Sequence, residues 1–250
     1  MSSPPLLRSA LVSHITPILS SPRASFPLLY HLPTSPSDPI LTTILLSISP
    51  TPSVYTHLHT HPPELLFLHH PWRLDLTLIP PTTLVLASHE GFDDALTTGY
   101  NPMLATALGV TWPYECIHGY KGDSERRIGL VGWMLGVGVE EFVGRVEREF
   151  RGVDEVVMVE EGLVGTVACL GAFSKEVVDR VVEMGEGVVV VTGQRREEGI
   201  KRARERGVSA VVCVGHKRSE QWGVRWLKEE VGRWSEGRVE AVVVEEEGGE

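Results

Sequence analysis

From Gly138 onward the chain alternates apolar runs with amphipathic segments of helical length, and that alternation restricts it to an α/β fold. The segment GVEEFVGRVEREF (138–150) repeats Phe142, Val146 and Phe150 on one helical face. Strands are expected near Val153 to Val159 and near Gly165 to Leu170. Ser174 can cap a helix over KEVVDRVVEMG, which Gly185 ends. VVVVTG (188–193) reads as a short buried strand, followed by a helix from Arg195 to Arg206 that stops at Gly207. SAVVCVG (209–215), SEQWGVRWLKEEVGRW (219–234) and VEAVVVEE (239–246) continue as strand, helix and strand. Right-handed crossovers between such elements imply a largely parallel or mixed sheet.

The first half differs. Every proline lies at or before Pro113, and strands are expected over 41–49, 64–68 and 82–87 between loops. THLHTHPP (56–63) alternates its histidines as an exposed strand or loop would, and the glycines of GLVGWMLGVG (129–138) suit turns or close packing, since no phosphate-loop pattern is present. Residues 1–37 hold no Asp or Glu and leave two alternatives open. One is a helix over Leu6 to Leu19 in a cytoplasmic protein. The other is a mitochondrial transit peptide, whose composition is also Ser-rich and acid-poor. The acidic stretch 246–250 reads as a solvated tail.

Net charge of −10 disfavours nucleic-acid binding, and no run reaches the roughly 18 apolar residues of a membrane span. Three scattered cysteines, Cys116, Cys169 and Cys213, lack the spacing of a zinc finger or disulfide framework. Cys213 falls inside an apolar strand as an inert thiol, and Trp222, Trp226 and Leu227 read as core or subunit-contact residues.

Chemistry gathers where three expected strands end. ELLFL runs into His69-His70-Pro71, TTLVLA into Ser88-His89-Glu90-Gly91-Phe92-Asp93, and SAVVCVG into His216-Lys217-Arg218-Ser219-Glu220. Strand ends in open α/β sheets face a shared crevice where ligands bind. His216 and Glu220, four apart at a helix start, project from one face. Pro71 ends its strand, so both neighbouring histidine rings can lean the same way. Imidazole with carboxylate and no thiolate suits zinc, manganese, iron, cobalt or nickel.

HHP after a strand, His-x-x-x-Asp, and a late GH-x-x-SE opening a helix resemble the NIF-three-like family, also called the GTP cyclohydrolase 1 type 2 family. The resemblance spans about 60–245 and is densest at LLFLHHPW, SHEGFDDAL and the stretch VVVVTG through GHKRSEQWGV. It implies a single family domain over 1–250 built of two similar α/β lobes with mixed sheets, about 1–125 and 126–250, whose elements can interleave around a metal cleft. It further implies two divalent metal ions held by His69, His70, Asp93, His216 and Glu220, with His89 beside them as a proton shuttle or substrate-facing group. A homo-oligomer, commonly a hexamer, goes with the resemblance. So does metal-dependent hydrolysis of a small nucleotide-like molecule; the alternative is a non-catalytic metal-holding regulator or scaffold that binds transcription factors. Two segments depart from the family: its N-terminal Trp-Asp-Asn is not recognisable in the first forty residues, and Gln194-Arg195-Arg196-Glu197 replaces the Glu and histidines usual after Thr192-Gly193.

Overall fold

The computed structural model describes residues 4–34, 37–120, 122–158 and 161–245, so the tail at 246–250 lies outside the described residues. These form a mixed α/β protein with two mixed sheets and, among the described residues, eight α-helices. The chain divides into two compact units, 1–92 with 223–250, and 93–222. The division falls inside two helices, α3 (Glu90–Leu96) and α8 (His216–Trp234). Among the described residues, no helix is long and apolar enough to cross a membrane.

The first unit is organised by β2 (Thr43–Ser47), β3 (Leu65–Leu68) and β4 (Leu84–Ala87), parallel neighbours with β11 (Glu240–Val244) added parallel to β2. A short strand, β1 (Leu29–His31), closes the far edge antiparallel to β4. All four residues of β3 and of β4 are buried. This is why they read as unbroken apolar runs: a parallel strand is covered on both faces and has no wet side on which to alternate. α1 (Arg8–Leu19) buries Leu11, Ile15 and Leu19, one per turn, so the N-terminal segment is helical from Arg8. His14 of α1 bonds Glu230 at 2.8 Å and stacks on Trp234.

The THLHTHPP segment departs from its expectation. Most of it belongs to a helix, α2 (Pro52–Thr60), with Pro52 at the first position and Val54 and Leu58 buried. That i, i+4 apolar pair outweighs the alternating histidines, and His57 Nδ1 bonds the Ser53 carbonyl one turn back.

The second unit carries a six-stranded sheet in the order β5-β6-β8-β9-β10-β7. Its two longest strands, β5 (Thr111–Tyr120) and β6 (Asp123–Gly138), include the glycine-rich segment expected to hold turns. The close-packing alternative holds there instead. A Cβ at Gly129 would lie 2.6 Å from Leu170 Cδ2, and one at Gly132 would lie 2.5 Å from Val110 Cγ1. After β6, α5 (Val139–Phe150) buries Val139, Phe142, Val146 and Phe150 and ends at Arg151 in the left-handed conformation.

The remaining strands are β7 (Glu155–Met158), β8 (Leu163–Leu170), β9 (Val188–Thr192) and β10 (Ala210–Cys213). α6 (Lys175–Glu183) is capped by the Ser174 hydroxyl, which accepts from the Val177 amide, and α7 (Glu197–Glu205) follows β9. β8, β9 and β10 are parallel and their core is mainly valine. Burial pushes the Cys169 thiol up to about 12, and burial with the nearby Glu155 charge pushes Cys213 up to about 11. Native protein treated with a thiol reagent at pH 8 is therefore expected to label at partly exposed Cys116 alone, with all three reacting after denaturation. Prompt native labelling of Cys169 would contradict this burial.

Candidate metal centre

In the first unit, Leu68 pairs with Ala87 in the parallel register of β3 and β4. The segments that follow, His69-His70 and Ser88-His89, therefore leave the sheet side by side at its carboxyl edge. The His69 and His70 amides donate to Ser47 and Ile48 carbonyls at 3.2 and 2.6 Å, which holds the tip of β3 beyond the strand proper. Ring centroids lie 4.1 Å apart for His69 and His70, 5.1 Å for His69 and His89, and 5.4 Å for His70 and His89. Each ring offers a nitrogen within 4.8 Å of the others, so the three together could hold a metal ion.

His69 is fully buried, with its Nδ1 2.9 Å from the Ser88 carbonyl. A carbonyl can only accept, so Nδ1–H is the donor and the neutral ring carries its lone pair on Nε2. This is the usual way a protein fixes the tautomer and direction of a metal-binding histidine. The Ser88 hydroxyl donates to the Leu19 carbonyl at 2.6 Å and accepts from the Phe92 amide at 3.1 Å, tying the end of α1 to the start of α3. Phe92 also packs on His69, centroids 4.5 Å apart. Trp72 was not singled out in the sequence, although it follows His-His-Pro directly. It stacks on His70 at 4.8 Å, meets His89 edge-on at 4.9 Å, and stays 58% exposed. Glu90 lies 3.8 Å from His89 Nδ1. Burial acts to raise its pKa, but hydrogen bonds from its own amide and from Ser25, with the His89 charge, hold it below the usual carboxylate range.

In the second unit, β10 delivers His216 through Gly215, whose φ of +92° suits glycine. A Cβ there would also sit 2.5 Å from Asp154 Oδ2, the far end of an exposed side chain, so it is the backbone conformation that favours glycine before His216. α8 begins at His216, and one turn on, the buried Glu220 places Oε1 3.0 Å from His216 Nε2. Asp93 and His216 both line one cavity of 270 Å³. The Ser219 hydroxyl accepts from the Thr98 amide, and the Thr98 hydroxyl accepts from the Gly193 amide, at 3.1 and 3.0 Å. These two bonds join the ends of α3 and β9 to the first turn of α8. Within each unit, then, the structure gathers the sequence-expected donors: His69, His70 and His89 in one, Asp93, His216 and Glu220 in the other.

The family model of Duf34/NIF3 (NGG1p interacting factor 3) matches residues 36–248. No curated protein matches the chain in sequence. Solved structures that resemble it include a protein called ybgI of unknown function, 17% identical with a TM-score of 0.67 over 97% of this chain and 99% of that one. Reduced HcgD from Methanocaldococcus jannaschii is 18% identical, with a TM-score of 0.65 and the same coverage of both chains. A Bacillus cereus protein related to NIF3 is 14% identical, with a TM-score of 0.61 over 97% of each chain. At such identities the likeness is one of fold.

Proposed function

Because this chain belongs to the Duf34/NIF3 family, we propose that it binds two divalent metal ions through His69, His70, Asp93, His216 and Glu220 and hydrolyses a small nucleotide-like molecule. The observation that carries the reading is the gathering of three imidazoles at the tips of adjacent parallel strands, with the His69 tautomer set by Ser88. The donors are imidazole and carboxylate, a set that fits zinc, manganese, iron, cobalt or nickel. Bound ions of this kind supply Lewis acidity and water that ionises near neutral pH. Asp93 and Glu220 contribute the anionic charge that balances the ions. His89, between His69, Trp72 and the Glu90 carboxylate, accepts the proton released by the attacking water and returns it to the leaving group.

Metal content measured by mass spectrometry on purified protein tests the binding, and His216→Ala is expected to lower it. Zinc- or manganese-loaded protein is expected to turn over a member of a nucleotide and phosphate-ester panel, and folded Glu220→Ala to lose that turnover. Turnover unchanged in that variant would remove the hydrolase assignment. The family's name, NGG1p interacting factor, favours a second reading, a metal-holding regulator or scaffold. That reading predicts retained metal with no turnover across the panel, together with capture of a protein partner.

Trp72 supplies a direct optical readout. Cobalt bound at His70 is expected to quench the fluorescence of the ring stacked on it. Trp72→Phe should abolish most of the cobalt-dependent change while leaving affinity within about threefold, a difference of under 1 kcal/mol. An equal cobalt response in wild type and Trp72→Phe would argue that the ion does not bind beside this ring.

A further inference from the structure

The cavity of the second unit contains more positive charge than its place in an acidic chain suggests. Arg126, Arg127 and Arg196 all line it, the first two from β6 and the third from the residue before α7. Asp94 answers one of them, at 3.3 Å from Arg126 Nη2. Among the described residues, the other two rest against neutral groups. The Arg127 guanidinium lies over the Tyr100 ring, 5.0 Å from its centroid, and Arg196 Nη2 donates to Gln194 Oε1 at 2.6 Å. Among the described residues, neither has a carboxylate within ion-pair distance.

Both arrangements hold a guanidinium in place without neutralising it. A cation resting on an aromatic face keeps its in-plane N–H donors for another acceptor. A guanidinium bonded to an amide oxygen keeps its full charge and several remaining donors. Gly171 and Gly193 also line the cavity. At 270 Å³ it lies just below the range of roughly 300–1,000 Å³ that encloses drug-sized ligands. It can take one phosphate and a sugar-sized body.

We propose that this cavity is a recognition site for a phosphate monoester, whose terminal dianion is clamped by Arg127 and Arg196. Planar forks of N–H donors match phosphate oxygens two at a time, which lysine cannot do. The proposal names the substrate class of the hydrolysis proposed above and rests on that reading for the ligand's fate, but the clamp belongs to the second unit. Arg196 belongs to the stretch Gln194-Arg195-Arg196-Glu197, where the resemblance leads one to expect a Glu and histidines.

Calorimetric titration of full-length protein, before and after stripping with chelator, provides the test, with ribose 5-phosphate, ribose and inorganic phosphate as ligands. Ribose 5-phosphate is expected to bind the stripped protein at low salt and weaken as salt rises, while ribose does not bind. Inorganic phosphate should bind more weakly than the ester; equal affinity would overturn the monoester assignment in favour of free phosphate. Arg127→Ala and Arg196→Ala are each expected to weaken ribose 5-phosphate about tenfold or more. Arg127→Lys should recover part of that loss. Both positions are exposed, so thermal melting near wild type is expected and checks the fold. Metal content is measured on the same samples. Variants that keep metal and lose ribose 5-phosphate support the clamp; variants that bind it as wild type does overturn it. Wild type that holds no metal yet binds ribose 5-phosphate sinks the hydrolase reading and leaves the clamp standing.

Discussion

Replacing Gly91 by alanine is expected to destabilise the protein by at least about 3 kcal/mol, the range of severe overpacking. A Cβ at this position would lie 2.0 Å from the Leu19 carbonyl oxygen and 2.7 Å from its carbon, with the Ser88 hydroxyl at 2.9 Å. The first two obstacles are backbone, so no rotamer change relieves them. They also belong to the end of α1, whose carbonyl receives the Ser88 hydrogen bond. Separating α1 from α3 enough to admit one methyl group breaks that bond and shifts the Ser88 carbonyl that orients His69. The thermal midpoint should fall by about 10 °C, given roughly 2–4 °C per kcal/mol for a chain of this size. Any glycine replacement in α3 without such a clash would instead stabilise a helix, by up to about 1 kcal/mol. A Gly91→Ala variant as stable as wild type would show that α1 does not pack here as described.

His69→Ala is the second large effect. The ring is fully buried against His70, His89 and Phe92, so truncation leaves a void and orphans the Ser88 carbonyl. Large-to-small changes of this kind cost about 2–5 kcal/mol, and an unpaired buried acceptor adds about 1–3 kcal/mol. On the proposed ligand assignment, metal affinity falls as well, by at least a hundredfold. His69→Gln separates the two effects, because it fills most of the volume and keeps a polar end. It should recover much of the melting temperature while binding metal poorly. Wild-type metal content in a folded His69→Gln protein would remove His69 from the ligand set. Measuring both variants by calorimetry and mass spectrometry distinguishes a packing role from a binding role.

These two residues differ in how visible they are beforehand. His69 is legible because an unbroken apolar run must be a covered parallel strand, and its polar successor must emerge at the strand's tip. The same logic found His89 and His216, and the i, i+4 spacing of His216 and Glu220 survives in their 3.0 Å contact. Gly91 carries no such signal: its partner is Leu19, seventy-two positions earlier, and nothing local shows that approach. The hairpin of β5 and β6 was equally hidden, since glycines and charges interrupt any alternation over Asp123–Gly138 and its long pairing is settled only by neighbours. α2 is hidden because the even spacing of His57, His59 and His61 masks the i, i+4 pair Val54 and Leu58. Arg196 gives no local sign of its cavity, because its partners there, Arg126 and Arg127, lie seventy and sixty-nine residues earlier.

The discontinuous make-up of the first unit has a consequence for the order in which the chain can mature on a ribosome. Residues 93–222 are one uninterrupted stretch, so their sheet has all its strands before synthesis reaches the end. The other sheet does not, because β11 is supplied by 240–244 and pairs with β2 from 43–47. Until those last residues emerge, β2 is an outer strand with one row of amides and carbonyls unpaired, the feature that invites association between nascent chains. The unit begun before residues 93–222 is thus completed after them.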